Sequence, residues 1–139
     1  MASGPLIAVV DDDVSLREAL TGLLSAYGYN IDAYSSGHDL LASELLREYA
    51  LFILDVQMPD IDGLQVQEQI LEAGVDAPII FLTSDQDPEI RGRAMSMGAA
   101  AFLGKPFHGV ELLAQLDGAL AQASRGASES ARDSGRTAG

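Results

Sequence analysis

The chain has 139 residues, of which 47% are hydrophobic, and its 8 basic and 21 acidic residues leave a net charge of −13. That size and apolar content suit one globular domain with its own core, and the acidic balance disfavours direct contact with nucleic acid or an anionic membrane. No apolar run approaches the ~20 residues that span a bilayer, the first residues lack a signal-peptide pattern, and the absence of cysteine excludes disulfides, thiolate metal sites and cysteine nucleophiles and fits a cytoplasmic location.

Leu6–Val10 is a continuous apolar run and reads as a strand buried on both faces. Ser15-Leu16-Arg17-Glu18 has the form of a capping box. Leu16, Ala19, Leu20, Leu23 and Leu24 follow at helical spacing, and Gly28 stops the helix. Tyr29 to Tyr34 alternates and suits an edge strand. Gly37 to Tyr49 is expected to form a second helix, and Leu51–Leu54 the next buried strand. Asp62 can cap a third helix, which carries Leu64, Ile70 and Leu71 and ends at Gly74. Ile79–Leu82 is another strand. Asp87-Pro88-Glu89 supplies a cap and a proline at the first helical position of a fourth helix that runs to Gly98. Ala100–Leu103 is the fifth strand, and a fifth helix runs from about Gly109 to Ala123. From Ser124 onward the chain loses periodicity, so residues 1–123 read as the domain and 124–139 as a flexible polar tail or linker stub. Five β-α repeats imply an α/β fold, a doubly wound open parallel sheet with helices on both faces.

In such sheets the ligand site lies outside the carboxyl ends of the strands. The residues that follow the apolar runs are Asp11-Asp12-Asp13, Asp55, Thr83-Ser84 and, just past the fifth run, Lys105. Acids, a hydroxyl and an ammonium therefore converge on one rim. Clustered carboxylates are mutually unfavourable unless a cation joins them. An all-oxygen donor set asks for a hard ion, and Mg²⁺ fits because it takes one or two carboxylates and keeps room for a phosphate. A carboxylate beside that ion can act as a nucleophile toward a phosphoryl group. The ion and Lys105 would neutralise the equatorial oxygens, and the Thr83 hydroxyl could bond the remaining one. Lys105 is the only lysine among the eight basic residues, which is hard to explain as a solvated surface charge. Asp13 serves equally well as a helix cap, and Thr83 alone would be an ordinary strand residue. Asp60 and Asp62 are turn and cap residues. His38 and His108 have no partner at metal-ligand spacing and read as surface residues.

Val10-Asp11-Asp12-Asp13, the stretch from Leu54-Asp55 through Met58-Pro59-Asp60 to Asp62-Gly63, Leu82-Thr83-Ser84 and Gly104-Lys105-Pro106-Phe107 form an ordered set over about residues 6–123. In that set the sequence resembles the receiver domains of two-component response regulators, most closely the FixJ-type branch. The resemblance implies a flavodoxin-like (βα)5 fold whose five-stranded parallel sheet has the order 2-1-3-4-5. It makes Asp55 the phosphoacceptor, with Mg²⁺ held by Asp12, Asp55 and the Gln57 carbonyl, and by Asp11 directly or through water. Thr83 and Phe102 become a switch pair, and the Lys105–Pro106 peptide is expected to be cis. Gln57 and Asp85 would flank the path of attacking water. The expected partner is a histidine kinase or phosphotransfer protein. Phosphorylation would switch the face formed by the fourth helix, fifth strand and fifth helix, where such domains commonly form homodimers. The domain would be a phosphoacceptor that assists its own phosphorylation and slow dephosphorylation, not an enzyme acting on an external substrate.

Other readings fit less well. An aspartate-nucleophile phosphohydrolase wants a second acid two residues after the nucleophile, and that position is Gln57. A flavodoxin-like phosphate binder wants a Gly/Ser/Thr-rich first loop, where Asp11-Asp12-Asp13 would repel phosphate. A scaffold without phosphoryl chemistry has no use for the complete set of acids, threonine and lysine. No basic helix-turn-helix pattern follows, so DNA contact is not expected of these residues.

Overall fold

The computed structural model describes residues 4–84 and 87–138, with side chains up to residue 123. Its elements follow the chain as β1 (Leu6–Val10), α1 (Val14–Ala26), β2 (Asn30–Tyr34), α2 (Gly37–Leu41), β3 (Leu51–Leu54), α3 (Gly63–Glu72), β4 (Ile79–Thr83), α4 (Pro88–Ser96), β5 (Ala101–Gly104) and α5 (Gly109–Ala138). All strand pairings are parallel, in the order β2-β1-β3-β4-β5.

The continuous apolar runs are explained by the two core layers. Successive strand residues point to opposite faces. Ala8, Val10, Phe52, Leu54, Phe81 and Phe102 accordingly lie in one layer with Leu40 of α2, Leu64, Val66 and Ile70 of α3, and Ala94 of α4. Ile7, Val9, Leu51, Ile53, Ile80, Leu82 and Leu103 lie in the other with Leu20 and Leu24 of α1 and Leu112, Leu113 and Leu116 of α5. With both faces covered, no strand position in the middle of the sheet can be polar without burying that group. Only β2, at the edge, is half-buried.

Three boundaries differ from the sequence reading. The box at Ser15–Glu18 does not cap α1. The helix starts at Val14, and Asp13 is its N-cap, its carboxylate accepting from the amides of Ser15 and Leu16 at 3.0 and 3.3 Å. The second helix ends at Leu41 instead of continuing to Tyr49. Beyond it the chain turns at shorter range, Ser43 N bonding Leu40 O and Leu46 N bonding Ser43 O. The reason is local competition: the Ser43 hydroxyl accepts from Leu45 N at 3.0 Å and from the Tyr34 hydroxyl at 3.0 Å, which draws it out of a helical ladder. Tyr49 is then free to point inward and donate to Asp32 at 2.8 Å. Finally, α5 runs as a helix to Ala138, past the expected end near Ala123. The side chains from 124 onward lie outside the described residues, as does Asp85.

Helix α3 forms as the sequence suggests. Asp62 and Gln65 make a reciprocal capping box, with bonds of 2.9 and 3.1 Å. The helix then stops at Gly74, whose φ of 78° suits glycine.

Candidate functional site

The strand order reverses between β1 and β3, so the crevice between their carboxyl ends is the place where the fold leaves room for a ligand. Asp11 and Asp55 sit there. Each continues its strand by one backbone bond, Asp11 N to Tyr34 O at 3.2 Å and Asp55 N to Val10 O at 3.1 Å. Their side chains are thereby held at fixed height above the core, and both are buried. Asp12 is exposed beside them. One carboxylate oxygen from each of Asp11, Asp12 and Asp55 lies within 4.8 Å of the others.

Lys105 joins this cluster from the loop after β5. Its Nζ donates to Asp11 Oδ2 at 2.6 Å and to Asp55 Oδ2 at 2.9 Å. Its backbone is fixed by the bond from Lys105 N to Thr83 O at 2.9 Å, and the Lys105–Pro106 peptide is cis. Thr83, fully buried at the end of β4, thus shares its strand end with the lysine loop. The remaining carboxylate oxygens face backbone amides: Asp55 Oδ1 accepts from Gln57 N at 3.1 Å, and Asp11 Oδ1 from Asp13 N at 2.9 Å. Gln57 also lines a cleft of about 520 Å³ beside the acids, with Asp12, Val56, Met58, Pro59 and Ile90.

One ammonium serves two buried carboxylates, and the electrostatics follow from that ratio. Burial tends to discharge Lys105, but the hydrogen bonds and charges of Asp11 and Asp55 outweigh it and hold its pKa above the usual lysine value. Asp11 moves the other way in stability terms. Burial pushes its carboxyl above the ordinary aspartate value despite the bonds from Lys105 and the Asp13 amide, and the charge of Asp55 adds to the rise. The lysine is over-compensated and Asp11 is under-compensated. A hard divalent cation on these oxygens would correct that imbalance.

The structure brings together Asp11, Asp12, Asp55 and Lys105 as the sequence suggests, with Thr83 at the adjoining strand end. Asp13 is a helix cap. His38 and His108 are exposed, and His38 contributes its backbone amide to Asp60 at 2.9 Å. Phe102 is turned inward, 5% exposed, with its ring 5.9 Å from that of Phe81. Two arginines emerge that sequence reasoning did not single out. Arg17 Nη1 donates to the Asp11 carbonyl at 2.6 Å, fixing the loop that carries the acids. Arg91 donates to the Phe102 carbonyl at 3.3 Å. Nothing in a helical arginine's sequence context marks such a long-range bond.

A parallel (βα)5 sheet whose switch point carries three acids and one bridging lysine defines a receiver-type signalling domain. The chain belongs to the response regulator receiver domain family, whose description matches residues 7–117. It is the receiver domain of a two-component response regulator. It is 36% identical over 115 residues to the transcriptional regulatory protein TdiR of Thauera aromatica, covering 83% of this chain and 51% of that protein. It is 40% identical over 116 residues to the transcriptional regulatory protein HprR of Escherichia coli, covering 84% and 52%. The chain therefore spans about half the length of the curated relatives it matches. Among solved structures, response regulator StyR superposes with a TM-score of 0.83 at 32% identity, covering 95% of this chain and 67% of that one. The BeF3-activated DrrB receiver domain gives 0.77 at 30% identity, covering 85% and 98%.

Proposed function

We propose that Asp55 accepts a phosphoryl group from a histidine kinase or phosphotransfer protein, and that Asp11, Asp12, Asp55 and the Gln57 carbonyl hold Mg²⁺ for that transfer. The observation that carries this reading is the single Lys105 ammonium shared between Asp11 and Asp55 at 2.6 and 2.9 Å, which leaves the acids short of positive charge. Mg²⁺, when bound, supplies that charge and stabilises the phosphoryl oxygens. An Asp55 carboxylate oxygen forms the new bond to phosphorus as the bond to the donor nitrogen breaks, and the leaving imidazole takes up a proton. Lys105 bonds a phosphoryl oxygen in place of the Asp55 oxygen it now contacts. The Thr83 hydroxyl takes another, which favours the inward position that Phe102 already occupies. Activation of the DrrB receiver domain by BeF3 supports this reading, because fluoroberyllate mimics a phosphoryl group. The domain acts as a phosphoacceptor with slow self-dephosphorylation and does not turn over an external substrate.

The names of TdiR and HprR support a further step. The chain serves as the cytoplasmic receiver portion of a transcriptional regulator. Phosphorylation shifts a two-state equilibrium of the α4-β5-α5 face toward a homodimer, and DNA contact belongs to a separate module. The test is intact mass after incubation with Mg²⁺ and acetyl phosphate. One added phosphoryl group is expected, absent in Asp55→Asn and absent without Mg²⁺. A folded wild type that binds Mg²⁺ yet never gains mass refutes the proposal.

A further inference from the structure

Phe102 lacks the hydroxyl that a tyrosine would offer at this position, so apart from apolar packing its side chain offers a polar or cationic partner nothing but its ring face. Arg91 engages both that ring face and the Phe102 backbone carbonyl. The guanidinium carbon of Arg91, on α4, lies 5.8 Å from the centroid of the Phe102 ring, and Arg91 Nη1 donates to the Phe102 carbonyl at 3.3 Å. The same ring leans on Phe81 at 5.9 Å with a 42° tilt. A guanidinium over an aromatic face is attracted by the ring quadrupole, and its planar fork can serve a second acceptor at the same time. The ring contact is made with Phe102 in this inward position, 5% exposed. A helix arginine serving only solubility would have no reason to engage one residue twice.

We propose that Arg91 is a positioning residue for the switch, clamping Phe102 inward and thereby favouring the state that retains the phosphoryl group on Asp55. The proposal rests on the reading of Thr83 and Phe102 as a switch pair. A ligand that prefers the inward state binds more weakly when that state is less populated, so loss of the clamp lowers affinity at a site that Arg91 does not touch.

The experiment uses the full chain labelled with fluorophenylalanine. Its four phenylalanines are resolved by ¹⁹F NMR, Phe102→Leu assigns the signal, and the probe is beryllium fluoride with Mg²⁺. In Arg91→Ala the Phe102 resonance is expected to move toward its exposed position, with a smaller response from Phe81 because the two rings touch, while Phe52 and Phe107 stay in place. Beryllium fluoride affinity should fall by roughly 3–10-fold. Arg91→Lys, which keeps the charge but not the planar fork, should recover part of both effects. If wild type responds to beryllium fluoride and Arg91→Ala responds with the same affinity and an unmoved Phe102 signal, the role of Arg91 is refuted and the switch reading stands. If the displaced Phe102 signal of Arg91→Ala does not return toward its wild-type position at saturating beryllium fluoride, the switch reading fails and the clamp fails with it.

Discussion

Replacing Lys105 with methionine removes the ammonium while keeping most of the apolar stem. The ammonium makes two ion pairs, with Nζ to oxygen distances of 2.6 and 2.9 Å. At an effective dielectric near 20, two unit charges about 4 Å apart interact by ~4 kcal/mol, so the two pairs give ~8 kcal/mol of attraction. Desolvation offsets several kcal/mol of this for each ion. The lysine side chain also keeps 20% of its exposure, against 4% and 7% for Asp11 and Asp55. The net loss is therefore placed at the low end of the range for breaking a buried pair, about 3 kcal/mol, or a fall in Tm of roughly 10 °C. The deficit should depend on pH. Asp11 already has a pKa raised by burial, and losing Lys105 raises it further. A carboxyl with a raised folded-state pKa contributes stability that is fully present below its unfolded value and lost as pH rises through the folded value. The variant should therefore lie closest to wild type in acid and furthest from it at neutral pH. Mg²⁺ should stabilise it more than it stabilises wild type, since the ion replaces the missing charge. Urea and thermal unfolding at pH 5 and 7, with and without Mg²⁺, measure all of this. A variant within 1 kcal/mol of wild type at pH 7 without divalent ion would refute the charge accounting.

Gly63→Ala should destabilise by about 2 kcal/mol or more and slow phosphorylation. A Cβ there would stand 2.3 Å from the Asp55 carbonyl oxygen, and that backbone cannot yield without moving the acceptor. Helix propensity alone would instead favour alanine, so a neutral or stabilised variant counts against the close-approach argument. The first helix offers a paired test in the absence of divalent ions. Asp13→Ala should cost about 1 kcal/mol in denaturant unfolding, because it removes the cap that accepts from Ser15 N and Leu16 N. Ser15→Ala should cost close to nothing, and the reverse order of effects would restore Ser15 as the cap.

What was legible in the sequence follows from which physical constraints are local. A strand buried on both faces must be apolar at every position, so Ile7–Val10, Leu51–Leu54 and Ile79–Leu82 announce themselves. The first polar residue past each marks the rim, which is why Asp11, Asp55 and Thr83 could be picked out together. Helix ends were less legible because Ser, Thr and Asp cap with similar strength. Asp13 and Ser15 both offered a cap, and the two amides that Asp13 reaches decided it. The second helix failed for a related reason. Gly37 to Tyr49 has adequate spacing for a helix, but the Ser43 hydroxyl serves both Leu45 N and a tyrosine on β2, and no pattern within the segment encodes that second partner. Contacts such as Arg17 to the Asp11 carbonyl and Arg91 to Phe102 are hidden more deeply, since a surface helix commonly carries arginine for solubility alone. Lys105 lies between the two cases. Its pairing with Asp11 bridges 94 positions of sequence and with Asp55 bridges 50, yet its standing as the chain's only lysine pointed to it. The acids and the lysine are the residues whose chemistry conflicts with the buried strand ends that carry them. Residue types that the fold does not need were therefore the ones the sequence made visible, while Arg17, which steadies the Asp11 loop, and Arg91, which engages Phe102, stayed hidden because they break no local rule.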